Sequence, residues 1–350
     1  MATRHRAASL EAFAREILGK AGLEADKAAV VASVLVEGDL LGHDTHGLAL
    51  LAPYLGELEA GTMAKSGEPE VFARRAAAET WDGRRLPGPW LTMRALDRAM
   101  SMARDCGTAT VVIRRSHHIA CLAAYLRRAT EQGYVAQILC SDANSASVAP
   151  FGGTKAVFTP DPLSIGFPTE GDPVLVDISS SMTTNGLTNR LLRQGKKLPH
   201  AWLLDGHGNP SDDPAVLAGE PKGTILPLGG LDAGHKGYGL ALLVEAMTGG
   251  LAGFGRADPK QGWGATVCVQ VFDPEAFGGK KAFERQMQAI ADACHANPPR
   301  PGMPSVRLPG EGGLARRREQ LASGVALHPG IMPSLEPWAE RLAVPLPAPA

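Results

Sequence analysis

The sequence predicts a mixed α/β chain, with α+β character, led by a helical N-terminal arm, and three observations carry that reading. Helical periodicity occurs three times in the first sixty residues with no strand between. From Glu70 onward, β-branched runs such as Thr108–Ile113 alternate with helical stretches. At 350 residues, 44% hydrophobic and 20% charged, the chain has an ample core and exceeds the typical single domain.

In the arm, Leu10, Phe13, Ile17 and Leu18 share one helical face, with Ser9 as the expected N-cap and Gly22 as the stop. A second helix is expected over about Glu24–Leu41 and a third over Leu48–Leu58. Val71–Trp81 reads as a strand pair beside the Asp82-Gly83 turn, and Pro89 opens a helix through Arg104. The strand Thr108–Ile113 delivers the chain into Arg114-Arg115-Ser116-His117-His118, ahead of a helix over Ile119–Gln132. Tyr134–Cys140 and Val174–Ile178 are further strands, separated by turn-rich segments. Arg190–Gly230 reads as a long linker studded with prolines, of the kind that covers a site or a subunit contact. A helix is expected over Leu240–Leu251, a strand over Ala265–Phe272, helices near Ala282–Ala296 and Leu314–Ser323, and a strand with a glycine turn over Val306–Gly313. The end, with Pro345, Pro347 and Pro349, reads as a loose tail.

A formal net charge of −1 excludes a basic nucleic-acid footprint. The most apolar stretch, Gly237–Gly255, carries Glu245 and many glycines and reads as a buried helix, not a membrane span. Met1–Leu10 has no apolar core of a signal peptide. Five scattered cysteines without Cys-x-x-Cys spacing argue against zinc or a redox dithiol and fit free thiols in a reducing compartment, so a cytoplasmic protein is expected.

The chemistry concentrates at Gly42-His43-Asp44-Thr45-His46-Gly47, between the second and third helices. Imidazole exchanges protons near neutral pH, and flanking glycines permit positive φ and close approach of a ligand. The segment also reads as a helix stop and cap, a reading weakened by four functional groups in a row and by the His117-His118 pair downstream. A metal site using His43 and His46 lacks the usual i,i+4 spacing. Gly229–Gly237 approaches a phosphate loop, but Gly237 stands where the magnesium-binding hydroxyl belongs, which excludes a Walker ATPase. Gly234-His235-Lys236-Gly237 at a helix start suits an anion, or is merely a glycine-rich turn with an exposed lysine. Ser179-Ser180-Ser181 offers hydroxyl donors. Gly310-x-Gly312-x-x-Ala315 matches the letters of a dinucleotide fingerprint, but the chain left after it is too short for a Rossmann half.

Taken together, Asp44-Thr45-His46-Gly47, Ser116-x-His118, Pro150-Phe151-Gly152-Gly153, Asp177 with its serines, Gly234-His235-Lys236-Gly237-Tyr238-Gly239 and Pro309-Gly310-Glu311 stand in the order found in one family. From about residue 8 to 340 the chain resembles the type-2 malate/L-lactate dehydrogenases. That family includes sulfolactate and ureidoglycolate dehydrogenases, diketogulonate reductase and piperideine/pyrroline-2-carboxylate reductases. The resemblance implies a non-Rossmann cofactor domain with a large, predominantly antiparallel sheet flanked by helices, in a homodimer. It implies hydride transfer between NAD or NADP and a 2-oxo/2-hydroxy acid or cyclic 2-imino acid, without a metal. His46 would carry the proton, with Thr45 for the usual Ser, and His118 and Asp177 would assist. Ser179, Ser180, Ser181, Met182, His235, Lys236, Gly237, Gly310 and Glu311 would contact the cofactor.

The expected parts are a helical segment 1–65, a substrate and dimerisation part 66–130 with 270–340, a cofactor part 131–269, and a loose tail 341–350. Departures from the family pattern are His117 for Asn, Ala120 for Gly, Pro160-Asp161-Pro162 for Thr-Asn-Pro, and Leu50 where several members carry Arg. The rivals are a metal-dependent hydrolase or lyase using His43, His46 and His118, and an inactive relative that only binds.

Overall fold

A computed structural model describes residues 3–350. The chain opens with strand β1 (Arg4–His5) and helices α1 (Ala7–Lys20), α2 (Ala25–Leu41) and α3 (Leu51–Glu59). All three arm helices form where periodicity places them. Leu10, Phe13, Ile17 and Leu18 of α1 are buried, but its N-cap is Arg6, which leaves Ser9 inside the first turn. The hairpin β2 (Glu70–Arg75) and β3 (Ala78–Asp82) leads to α4 (Gly88–Cys106), whose Pro89 sits where no helical N–H is missed. Then come β4 (Thr108–Ser116), α5 (Ala123–Thr130), β5 (Val135–Ser141), β6 (Leu163–Phe167), β7 (Val174–Ile178) and α6 (Asn185–Arg193). Short strands β8 (Leu203–Leu204), β9 (Pro210–Ser211) and β10 (Thr224–Ile225) precede α7 (Gly230–Glu245) and β11 (Ala265–Phe272). The chain closes with α8 (Lys280–His295), α9 (Glu311–Ser323), β12 (Val325–Ala326) and α10 (Ile331–Leu342).

Seven strands form one sheet in the order β2-β3-β4-β11-β5-β6-β7. Among the described residues its neighbouring pairs are antiparallel except β3 and β4, which run parallel. The central strand β11 is buried along most of its length because both its faces are covered. Val267, Val269 and Val271 enter the main core, while Cys268 joins Val112, Leu139 and Val244 on the other side. The expected boundary at 269/270 falls inside β11, so the two expected parts share this sheet.

Four expectations change. The supposed linker begins with the end of α6 and continues through the β8–β10 sheet, packed around Leu198, Leu203, Ile225 and Ala241. Two-residue strands are too short to leave a periodic signal. Val306–Leu308 is not a strand; the segment meets β7 through one Leu175 N–H to Pro309 O bond of 3.1 Å. The stretch expected to be a buried helix turns one apolar side outward: Leu242 is 47% and Leu251 55% exposed, while Gly237, Ala241 and Val244 face inward. The end of the chain packs rather than dangles, with Val344 buried and the Ala350 N–H donating to Arg4 O at 2.7 Å. Among the described residues no helix is long and apolar enough to cross a membrane.

The arm is joined to the body through the junction after α2. Gly42 takes φ +88° as the C-cap, and the His43 N–H returns to Gly38 O at 2.8 Å. The chain then folds back so that the buried Asp39 carboxylate accepts the Leu48 N–H at 2.7 Å. Burial raises the Asp39 pKa to about 7, offset in part by that bond. Gly47 lies so close that an added Cβ would stand 2.4 Å from the Asp39 carboxyl carbon. Gly47→Ala therefore overpacks this contact. It is expected to lower stability by about 1–3 kcal/mol, read as the shift of a denaturant midpoint, and an unchanged midpoint contradicts the packing.

Candidate active site

The junction, the β4–α5 connection, the loop after β5, the end of β7, the head of α6 and the loop before β11 enclose a cavity of about 990 Å³. Of the residues singled out in the sequence, His43, Thr45, His46, His118, Asp177 and Ser179 line it. They come from three segments far apart in the chain, brought together because β4 and β7 point their ends at the arm.

His46 is half-buried, and its Nδ1 lies 2.8 Å from Thr45 Oγ1. Burial, then the neighbouring His43 and Arg190, push its pKa down to about 4, so the ring is neutral at pH 7. The His118 ring stacks on it at 5.9 Å between centroids and on Trp263 at 4.7 Å. The Ala120 N–H donates to His118 Nδ1 at 3.3 Å, and Tyr54 Oη lies 2.9 Å from the same nitrogen. An amide can only donate, so Nδ1 is the acceptor and the neutral ring carries its proton on Nε2. Burial holds the His118 pKa well below its ordinary value.

Asp177 Oδ2 accepts the Ala123 N–H at 2.9 Å, and burial raises its pKa while His43 opposes the shift. The imidazole grouped with Asp177 is that of His43; Thr45 is the hydrogen-bond partner of His46. The donor atoms of His43, Cys121 and Asp177 lie within 4.8 Å of one another, the metal-type grouping found among the described residues. The metal reading had instead joined His43 to His46 and His118. His117 turns away from the cavity to Glu57, with Nε2 3.2 Å from its carboxylate.

The remaining predicted residues stand outside the cavity lining. Ser180 and Ser181 are buried, and their hydroxyls donate to Pro160 O and Thr183 O at 2.9 and 2.7 Å. They fix the turn after β7, and even Ser179 Oγ donates back to Ser181 O at 2.9 Å. Met182 lies beside Gly230 at the start of α7. His235 and Lys236 are exposed on that helix, His235 against Phe151 with ring centroids 5.8 Å apart. Gly237 is there for close packing, since a Cβ would fall 2.2 Å from Leu228 N. Gly310 takes φ +92° at the N-cap of α9, and Glu311 is bonded to His295 and accepts the Leu308 N–H at 3.1 Å. Asp161 is buried just behind the cavity wall, in the left-handed region at φ +40°, and burial with Glu245 pushes its pKa up to about 8.

Tyr54, Cys121, Trp263 and Arg190 were not singled out in the sequence. Tyr54 was hidden as one apolar position of α3, and Arg190 stood at the start of the supposed linker. The flanking glycines of Trp263 were a weak signal for close approach.

A profile of the malate/L-lactate dehydrogenase family matches residues 6–336. The L-lactate dehydrogenase of Cupriavidus necator is 31% identical over 346 residues, which are 97% of this chain and 98% of that one. The malate dehydrogenase of Entamoeba histolytica shares the fold, with a TM-score of 0.93 at 23% identity over 99% of this chain and 100% of its own. The Δ1-piperideine-2-carboxylate reductase of Pseudomonas syringae superposes with a TM-score of 0.83 at 26% identity, covering 96% and 99%.

Proposed function

The chain belongs to the malate/L-lactate dehydrogenase family, and from that premise we propose that it is an NAD(P)-dependent oxidoreductase with His46 as its proton carrier. It interconverts a 2-hydroxy acid and its 2-oxo acid, or a cyclic 2-imino acid and its amine. The observation that carries the reading is a neutral imidazole, anchored at Nδ1 by Thr45, on the wall of a cavity large enough for a ring and a small acid together.

NAD or NADP, when bound, supplies or accepts the hydride. The residues present fit such a group: Ile119, Leu122 and Ile178 give the cavity apolar walls for a flat ring, and α6 points its N-terminal turn toward them. Ser179, the turn Ser180-Ser181-Met182, His235, Lys236 and Gly237, with Gly310 and Glu311, would hold it. The antiparallel neighbours β5, β6 and β7 support a non-Rossmann cofactor part.

With Nδ1 engaged, Nε2 of His46 is left for the reacting heteroatom. In the oxidative direction it takes the hydroxyl proton as C2 gives up its hydrogen with the bonding electron pair. In the reductive direction the same nitrogen returns the proton to oxygen or nitrogen. A bound carboxylate adds negative charge and favours the imidazolium this requires. His118 stays neutral beside it, so two positive rings never face each other. Asp177 compensates the charge on that side of the cavity.

We also infer a homodimer. Leu231, Leu242, Leu243 and Leu251 expose about half of their surface on and after α7, and exposed apolar side chains gathered on one element suit a partner surface.

His46→Ala should lower kcat by about 10²–10⁴-fold with cofactor affinity retained; unchanged turnover refutes the role. Because His46 is neutral above a pKa of about 4 in the free protein, reductive kcat/KM should fall as pH rises from 5 to 8, while oxidative kcat/KM stays level. A reductive profile flat over that range contradicts proton donation by this ring. Lys236→Ala should raise the dissociation constant of NADH or NADPH, measured by fluorescence titration, and an unaltered constant counts against the phosphate assignment. Light scattering should give twice the chain mass, reduced to one by Leu242→Glu with Leu243→Glu; a monomeric parent overturns the dimer.

A further inference from the structure

We propose that Arg190 is the carboxylate anchor of this site, and that it selects 2-oxo monocarboxylic acids with small apolar side chains over dicarboxylic acids. The inference rests on the reading of His46 as proton carrier.

A 2-oxo acid carries its carboxylate on the carbon beside the carbonyl. An anchor must therefore lie in the same cavity as His46 and within a few ångströms of it. The helix α6 meets that requirement. A Cβ placed on Gly186 would lie 3.3 Å from Thr45 Cβ and 3.8 Å from His46 Cε1, so the head of the helix packs on the reacting residues. Arg190, four residues on, projects from the same helical face. Its side chain lines the cavity and is only 16% exposed. It is close enough to His46 to be among the causes of the low pKa of that ring.

Arg190 is also held ready. One terminal nitrogen donates to Asp44 Oδ1 at 2.9 Å and the other to Asp44 O at 3.0 Å. A guanidinium has five N–H groups, so three remain, enough for a two-point grip on a carboxylate. The other cations of the lining, Arg193 and Lys260, are exposed at its edge.

The rest of the cavity is hostile to a second negative charge. Asp142 and Asp177 contribute carboxyl groups of their own, and Ala49, Leu50 and Pro53 form an apolar wall. A second substrate carboxylate would lose water without gaining a partner.

The test compares pyruvate with its neutral methyl ester, and 2-oxobutyrate with oxaloacetate, in the parent, Arg190→Met, Arg190→Lys and Asp44→Asn. Removing a charged hydrogen-bond partner should raise KM for pyruvate by about 10- to 100-fold and leave methyl pyruvate little changed, so Arg190→Met loses discrimination between them. Arg190→Lys should recover part of it. Asp44→Asn loosens the pin but leaves the cation, so it should keep the discrimination; if it matches Arg190→Met, Arg190 only supports the junction and the proposal is overturned. Calorimetric binding of oxamate to the NADH- or NADPH-loaded protein should weaken in Arg190→Met without reference to turnover, and equal binding is likewise fatal. A parent that prefers oxaloacetate to 2-oxobutyrate overturns the selectivity. Failure of the functional reading looks different: no acid is reduced by the parent, or His46→Ala keeps full activity. Turnover that needs His46, with discrimination intact in Arg190→Met, sinks this proposal alone.

Discussion

The bond from the Leu48 N–H to the buried Asp39 carboxylate is the constraint on which the site depends. It turns the chain sharply after α2, so that residues 43–46 lie against the body instead of continuing the helix. Gly38 and Gly47 make the fold-back possible: a side chain on Gly38 would stand 3.0 Å from His46 O. From α9, Gln320 Nε2 donates to Asp39 O and Leu40 O at 3.0 and 3.1 Å, adding to the Gly42 N–H bond on Asp39 O at the end of α2. On the cavity side Arg190 grips Asp44. The junction is thus clamped from two elements remote in sequence, and the imidazole it presents has little freedom.

The electrostatics of the cavity follow from that enclosure. Burial depresses His46 and His118, so their neutral forms dominate where charged ones would be costly without partners, and it raises the Asp177 pKa against the opposing His43. An arginine that cannot lose its charge stands out in such surroundings. Its bond to Asp44 balances it while leaving donors free, as the proposed anion anchor requires.

The sheet supplies the rigidity. Its central strand β11 joins β4, which leads to His118, with β5, which leads to the loop carrying Asp142 and Asn144. Because β11 is buried on both faces, these strand ends are fixed relative to each other. The outward leucines of α7 are the counterpart: an apolar surface this chain does not cover by itself.

The sequence by itself determined the arm helices, the hairpin, the strands at 108, 135, 174 and 265, and the histidine junction. Each rests on a local signal: spacing of apolar residues, β-branched runs, or glycines around polar groups. It also carried, in six ordered motifs, the resemblance to the family found by comparison. Only the tertiary structure decided that Ser180 and Ser181 hold the turn, that His117 turns to Glu57 while His118 faces His46, and that the leucines of α7 point outward. It alone placed Arg190 beside the imidazole and gave the supposed linker its small sheet. The physical reason is common to all of these. Periodicity reports that a residue has an apolar or polar side, whereas the direction of that side and the partner it meets depend on how the chain packs, whether the partner is near, as Thr183 is to Ser181, or remote, as Asp44 is to Arg190.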